Sequence, residues 1–390
     1  MGASFAPGFV TGLPTSVTTA QSRTDTGILL KIGRQDSLTS IEAALQKNFC
    51  LGAILENFGP NSHQHWLCAY YDVPTLSLCV DAFLNVPNSI CSIDFNAATI
   101  FQLSENGIRP PANRPTLHSK VPSAAKEPAR STIRILAQLN SAADVKIALN
   151  QRCDGFGEIK SSIKDFGAGK PINAAVEILH NINQLSGKKR IIPVRFFDAS
   201  PYHYSSVDTV DGTAISAFGV RGARLIVRED DTVELFLKSM IGAKDIDYTV
   251  VLPMVNLKSE LEVAAHALSM PMDRIGVQFE TPMACLNADE LLSGIGFAII
   301  GLNDLTQYTT AWDRNLFHNA FTPASSLVPA VVSLAEMVCA AARRNGVPSA
   351  VAVDLYPTAS LVADLRRISP DSIVVSPRRI KLWRHHLESG

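Results

Sequence analysis

The sequence lacks several patterns that would assign it to a class at once. It has no basic run of five or six residues, and its 35 basic and 36 acidic residues nearly cancel, so nothing indicates a nucleic-acid-binding or anionic-membrane-binding surface. Its seven cysteines form no CxxC pair and have no metal-ligand spacing. That pattern favours reduced thiols in a cytoplasmic protein over a disulfide framework.

Long apolar runs are also missing. No uninterrupted apolar stretch reaches the roughly 18 to 20 residues that a membrane helix needs. Residues 1–20 have neither the charged flank nor the apolar core of a signal peptide. We therefore expect a cytoplasmic protein without a membrane span.

The length and one composition change predict the domain organisation. A chain of 390 residues exceeds one ordinary domain, whereas an α/β barrel of about 250 residues plus a smaller domain would account for it. Residues 104–131 are rich in proline, serine and basic residues and have no amphipathic period, which is typical of a linker. We predict a loosely ordered terminus over 1–25, a small domain over 26–108, a linker over 109–130 and a barrel over 131–390.

After the linker, eight short β-branched runs alternate with amphipathic helical stretches. This alternation predicts an α/β fold with a parallel (β/α)₈ barrel. The long connection from Phe197 to Tyr248 predicts an extra loop or helix over one mouth of the barrel. The eight runs read TIRILAQL, CDGFGEIK, RIIPVRFF, YTVVLPMV, RIGVQFET, FAIIGL, SAVAVDL and SIVVSP.

Polar residues cluster where the predicted strands end, and each one alone is compatible with a solvated strand end. In such barrels the catalytic groups lie at the C-terminal ends of the strands. Glu280 and Asp304, from neighbouring strands, provide hard oxygen ligands for Mg²⁺ or Mn²⁺. Arginines suit a phosphate and a carboxylate on one small molecule, so the barrel mouth is interpreted as a metal-assisted site for a small phosphorylated acid. The polar residues at strand ends are Lys160, Arg195, Glu280, Asn303, Asp304 and Asp354.

Two ordered segments carry a family resemblance. RIGVQFETPMACLNADEL, followed by FAIIGLNDLTQYTTAWDRN, resembles the paired signature of the phosphoenolpyruvate-utilising enzymes, such as pyruvate phosphate dikinase, phosphoenolpyruvate synthase and Enzyme I of the sugar phosphotransferase system. PVRFFDAS and FGVRGARL resemble the family segments that contain its arginines. The resemblance implies Mg²⁺ ligands at Glu280 and Asp304, phosphate-binding residues at Arg195 and Arg221, and further substrate contacts from Asn303, Arg314 and Lys160.

The first domain resembles the mobile domain that carries a phosphohistidine in the same family. GAILENFGPNSHQHWLCAYYDVPTLSLC has the family's spacing from His63 to Val73-Pro74. The resemblance implies that His63 carries a phosphoryl group between phosphoenolpyruvate and a separate partner or small molecule. His65 is the nearby competitor, and either histidine would also fit a surface or helix-capping role.

Departures from the family leave three functions open. Ala352 or a neighbour stands where the family has the cysteine that protonates the enolate, and Lys160 replaces an arginine. The chain is therefore a phosphoenolpyruvate-dependent phosphotransferase, a repurposed enzyme that diverts the enolate or phosphohistidine to an unusual acceptor, or a ligand-binding regulatory relative. Because about one hundred residues precede the barrel, we expect a chain without an ATP-grasp domain. By analogy with relatives, a homodimer is expected.

Overall fold

The computed structural model describes the larger part of the barrel and the main strands and helices that precede it. The described residues are 3–4, 9–22, 26–47, 49–56, 64, 67–68, 71, 73, 75–78, 83–86, 91–94, 99–102, 133–160, 173–186, 192–198, 209–210, 213–214, 219, 221–227, 236–237, 240, 246–312 and 327–389.

The chain divides into two compact units. The first contains a seven-stranded mixed sheet whose four central strands pair in parallel and whose outer strands pair antiparallel. Both faces are covered, because Ile28, Leu30 and Ile32 pack into one apolar cluster while Leu29 packs into another. In sheet order the strands are Ala3–Ser4, Thr75–Leu78, Phe49–Glu56, Thr26–Ile32, Phe9–Ser16, Cys91–Asp94 and Thr99–Gln102, and the helices are Val17–Ser22 and Leu38–Lys47.

The second unit is a closed barrel of eight parallel strands, which confirms the predicted fold. Each strand coincides with one of the eight β-branched runs. Side chains alternate: Ile135 and Ala137 face the helices, whereas Leu136 faces an inner apolar layer with Val251 and Ile299. The strands, first to eighth, are Arg134–Leu139, Gly155–Lys160, Ile192–Arg195, Tyr248–Leu252, Ile275–Phe279, Phe297–Gly301, Ser349–Ala352 and Ser372–Val375.

Helices follow the strands as the amphipathic stretches predict. The long connection between the third and fourth strands contains a two-stranded ribbon, Thr209–Val210 with Thr213–Ala214, and the short helix Ala223–Val227. No helix among the described residues is both long and apolar enough to cross a membrane. The remaining helices are Ala142–Asn150, Asn173–Ser186, Lys258–Ala267, Pro282–Leu286, Ala288–Leu292, Leu302–Thr310, Pro329–Asn345, Ala359–Ile368 and Ile380–Ser389, with 3₁₀ turns at Met272–Arg274 and Pro377–Arg379.

Local capping ends the fifth strand at the point where the candidate site begins. Thr281 has extended backbone angles, and its hydroxyl accepts a hydrogen bond from the amide of Ala284 at 3.1 Å. Pro282 occupies the first helical position, where no amide donor is needed. This cap starts a helix immediately after Glu280 and so holds that carboxylate at the C-terminal end of its strand.

Candidate active site

Two acidic residues follow neighbouring barrel strands, the fifth and the sixth. Glu280 comes directly after the fifth strand, and Asp304 lies in the first turn of the helix that follows the sixth; their exposed fractions are 2% and 6%. Glu280 lies against Gly301, because a Cβ placed on that glycine would be 2.8 Å from both Cγ and Oε1 of Glu280. Gly301 therefore provides the space in which the glutamate reaches the beginning of the Asp304 helix.

Arg221 joins two acidic residues from separate segments of the chain. Its Nε and Nη2 donate to the two carboxylate oxygens of Asp198 at 3.1 and 2.7 Å, a bidentate arrangement. Its Nη1 donates to Asp304 Oδ1 at 3.1 Å and to the Tyr308 hydroxyl at 2.7 Å. The Arg221 side chain is 1% exposed, so this is a buried ionic cluster rather than a surface ion pair.

The residue after Arg221 has to be glycine in this arrangement. Gly222 has a φ of +52°, and a Cβ there would collide with the carbonyl oxygen of Pro253, just after the fourth strand. The next amide, that of Ala223, donates to the same carbonyl at 3.0 Å. The Arg-Gly pair is thereby fixed against the end of the fourth strand.

Glu280 is held by two donors. Gln278, two residues earlier on the same strand, donates from Nε2 to Glu280 Oε1 at 2.6 Å. The backbone amide of Met254 donates to Oε2 at 3.2 Å, and Met254 has a φ of +60°. A non-glycine residue in the left-handed region is strained, and here that conformation presents an amide to the carboxylate.

The pKa values of Glu280 and Asp198 are shifted in opposite directions by their different surroundings. Burial, reinforced by the charges of Asp304 and Asp198, raises the pKa of Glu280 well above its ordinary value. Burial also acts to raise the pKa of Asp198, but its hydrogen-bonded pairing with Arg221 outweighs it and the net shift is downward. Glu280 therefore holds its proton more tightly than an ordinary glutamate, and Asp198 holds its proton less tightly than an ordinary aspartate.

Arg195, at the end of the third strand, lies in a strongly acidic environment. Burial acts to lower its pKa, but four carboxylates overcome that effect and the net shift is upward. Four carboxylates therefore lie near enough to act on the Arg195 guanidinium. The four are Glu158, Asp198, Glu280 and Asp304.

The other residues expected at this site have mixed outcomes. Lys160 ends the second strand in register with Arg195. Asn303 donates from Nδ2 to Asp354 Oδ2 at 2.8 Å, so this amide faces the end of the seventh strand. Arg314 and His63 lie outside the described residues, and their assigned roles stay predictions.

Sequence reasoning missed three members of the cluster. Asp198 lies three residues after Arg195, but only Arg195 was assigned to the end of the third strand in the sequence analysis. Glu158 is two residues before Lys160, and it is 1% exposed; the strand period of two could have drawn attention to it. Tyr308 lies one helical turn after Asp304, a spacing that places both on one helix face.

The chemistry of these donors fits a hard divalent cation. Within the described ranges, no group of three or more His, Cys, Asp or Glu side chains is placed to hold a metal ion by itself. Mg²⁺ commonly takes one or two carboxylates and completes its shell with water and substrate oxygens. Glu280 and Asp304 provide two such carboxylates, which matches that requirement.

A family model matches the part of the chain that contains this site. Residues 118–389 match the model of the PEP-binding domain of PEP-utilising enzymes. The match spans well over half of the 390 residues. The chain therefore belongs to the family of phosphoenolpyruvate-utilising enzymes.

Three relatives show how much of the chain is similar to known members of that family. A probable phosphoenolpyruvate synthase of Archaeoglobus fulgidus is 29% identical, over 49% of this chain and 27% of its own length. A multiphosphoryl transfer protein of Xanthomonas campestris pv. campestris is 28% identical, over 85% of this chain and 42% of its own. A phosphoenolpyruvate-protein phosphotransferase of Streptomyces coelicolor is 25% identical, over 70% of this chain and 51% of its own. The chain thus spans about a quarter to a half of these relatives.

Proposed function

We propose that this chain is a magnesium-dependent phosphotransferase that uses phosphoenolpyruvate and passes its phosphoryl group through His63. The group would go to, or come from, a separate protein or small molecule. The observation that carries the proposal is the placement of Glu280 against Gly301, beside Asp304 and the buried Arg221. The match to the multiphosphoryl transfer protein covers 85% of this chain and so extends well before residue 118. This supports a role for the first unit in the same function.

In this proposal each residue of the cluster has a physical task. Bound by Glu280 and Asp304, Mg²⁺ would act as a Lewis acid that neutralises substrate oxygens. Asp198 fixes Arg221 through Nε and Nη2, which leaves its Nη1 edge directed at Asp304 and the site. Arg195 supplies a second permanent positive charge for the phosphate. Positioning and charge neutralisation account for most of the catalysis of phosphoryl transfer.

The transfer itself is a displacement at phosphorus. A ring nitrogen of His63 forms the N–P bond, the bond between phosphorus and the enol oxygen breaks, and its electron pair stays with the enolate. Protonation of the enolate carbon then gives pyruvate. The family's protonating cysteine is replaced here by Ala352 or a neighbour, at the end of the seventh strand. Asp354, Tyr356 or water would therefore deliver that proton.

Radiolabelled phosphoenolpyruvate tests the proposal. With Mg²⁺, the wild-type protein should acquire label that is stable to alkali and labile to acid, as a phosphoramidate is. His63→Ala should remain unlabelled, whereas the matched variant His65→Ala should label normally. Equal labelling of His63→Ala and wild type would rule out His63 as the carrier.

The alanine at the end of the seventh strand favours a second candidate function. The enolate would then be passed to another acceptor instead of being protonated. The two functions differ in deuterated water: ordinary protonation gives pyruvate with deuterium in its methyl group, which mass spectrometry detects. Ready formation of deuterated pyruvate would remove the reason for the second candidate.

Two further parts of the proposal concern assembly. We expect a homodimer, which light scattering would test. We also propose that residues 26–108, which form the larger part of the first unit, act as the mobile phosphohistidine domain, and that residues 109–130 link it to the barrel.

A further inference from the structure

A second polar cluster lies at the ends of the eighth and first barrel strands, which pair in register from Ser372 with Arg134 to Val375 with Ala137. Its centre is Arg379, in the 3₁₀ turn Pro377–Arg379 after the eighth strand. This side chain is 2% exposed. A guanidinium cannot be neutralised in a protein, so the charge of Arg379 is buried.

One edge of the Arg379 guanidinium is occupied and the other is not. Nη1 donates to the backbone carbonyl of Asp354 at 2.6 Å. The guanidinium carbon lies 3.8 Å from the centre of the Tyr356 ring, which fixes the plane of the group. Nε and Nη2 are buried and have no hydrogen-bond partner within the described part of the chain. These two donors form the fork that pairs with an oxyanion in a bidentate manner.

Further donors without a partner come from the same two strand ends. They are Ser376 Oγ, directly after the eighth strand, and Asn140 Nδ2, directly after the first. The first-strand end is adjacent to the turn, because Arg378 Nη1 lies 3.9 Å from Asp144 Oδ1. Asn140, Ser376 and Arg379 all lie at these two paired strand ends, and we refer to them as the donor cluster.

The carboxylates around the donor cluster are directed elsewhere. Asp144 Oδ2 accepts from the amides of Asn140 and Ser141, both at 3.0 Å, and its other oxygen faces Arg378. Asp354 Oδ2 accepts from Asn303. Glu158, on the second strand, has no hydrogen-bond partner among the residues described and so does not bind these donors.

We propose that the donor cluster is a binding site for an oxyanion, a carboxylate or phosphate group, separate from the Glu280 and Asp304 site. A buried positive charge with a free fork and two neighbouring neutral donors is matched by one compact anion with several acceptor oxygens. The two sites are connected through hydrogen bonds from Asn303 to Asp354 and from Arg379 to Asp354. A carboxylate would come from a pyruvate-like molecule, and a phosphate from free inorganic phosphate.

Calorimetric titration of the full chain in EDTA tests the site independently of phosphoryl transfer. One arm uses inorganic phosphate and the other uses pyruvate, and saturable binding is expected in at least one arm. Arg379→Lys keeps the charge but removes the fork, and should weaken that binding about tenfold, the equivalent of one charge-assisted hydrogen bond. Ser376→Ala should weaken it about threefold, as expected for one neutral hydrogen bond.

Two control variants separate this site from the candidate active site. Arg367→Lys changes an exposed arginine paired with Glu336 and should leave the affinity unchanged. If Arg195→Lys abolishes anion binding while Arg379→Lys does not, the anion occupies the candidate active site and the inference is wrong. Absence of binding by the wild type in both arms would also overturn it. Neither result would bear on His63 labelling, which the radiolabel measures separately.

Discussion

Two sectors of one barrel differ in how their buried charges are balanced. Beside the third, fifth and sixth strands, Arg221 binds Asp198 and Asp304 through all its nitrogens. Glu158 and Glu280 add further carboxylates near Arg195. At the eighth and first strands, Arg379 uses Nη1 alone, and two donor nitrogens stay without acceptors among the described residues. Every nitrogen of Arg221 has an acidic partner, whereas two nitrogens of Arg379 have no partner among the described residues. The two sectors therefore differ in the ligands that they suit.

The largest expected effect is the loss of Arg221. Arg221→Met should lower the free energy of unfolding of the metal-free protein by about 3–5 kcal/mol, because Asp198 and Asp304 would remain buried without their cation. Urea denaturation followed by circular dichroism measures this. Arg344→Ala, which breaks an exposed pair with Asp289, should cost at most about 1 kcal/mol. Similar losses in both variants would mean that the buried cluster contributes no more than a surface pair.

The second prediction concerns magnesium. At a concentration about one hundred times its dissociation constant, Mg²⁺ should stabilise the wild type by about 2.7 kcal/mol, and Glu280→Gln should abolish that gain. The exposed substitution Glu262→Gln should not change it. Equal stabilisation of Glu280→Gln and wild type in thermal denaturation would remove Glu280 from the metal site.

Glu280→Gln should also change how the stability of the protein depends on pH in the absence of metal. Because the pKa of Glu280 is raised in the folded chain, the folded state holds its proton more tightly than the unfolded state does. This contribution to stability is present below the unfolded pKa of about 4.3 and is lost as the pH rises through the folded pKa. Glu280→Gln should therefore lack this fall in stability, by about 1.4 kcal/mol per unit of pKa shift. A fall as large as that of the wild type would contradict the assignment.

A smaller loss is expected at the glycine beneath Glu280. Gly301→Ala should cost about 2 kcal/mol through overpacking, since its Cβ would displace the Glu280 side chain, and it should also weaken the stabilisation by Mg²⁺. Gly33→Ala is a suitable control, because its Cβ would meet only the end of the Gln35 side chain. Unchanged Mg²⁺ stabilisation in Gly301→Ala would show that the glutamate can move without loss.

The smallest effect is expected in the donor cluster. Arg379→Met should lower the free energy of unfolding by about 1 kcal/mol, since it removes one hydrogen bond and one ring contact while also removing unpaired buried donors. Urea denaturation in phosphate-free buffer measures this. A loss as large as that of Arg221→Met would mean that the two sectors are balanced in the same way.

The difference between the sectors also explains what the sequence could reveal. The eight strands were predictable because β-branched runs are local signals, and acids after strand ends indicated Glu280 and Asp304. Asp198 and Glu158 were missed because one polar residue at each strand end was already assigned. The free fork of Arg379 depends on which acceptors pack around it, and those come from distant segments of the chain.

The contact between Gly222 and Pro253 joins the segment that contains Arg221 to the segment that follows the fourth strand. Arg221 precedes that glycine and Met254 follows that proline, so the positions of the guanidinium and of the amide facing Glu280 both depend on this contact. Hydrogen–deuterium exchange at the Met254 amide would then report local opening around Arg221 as well as around Glu280.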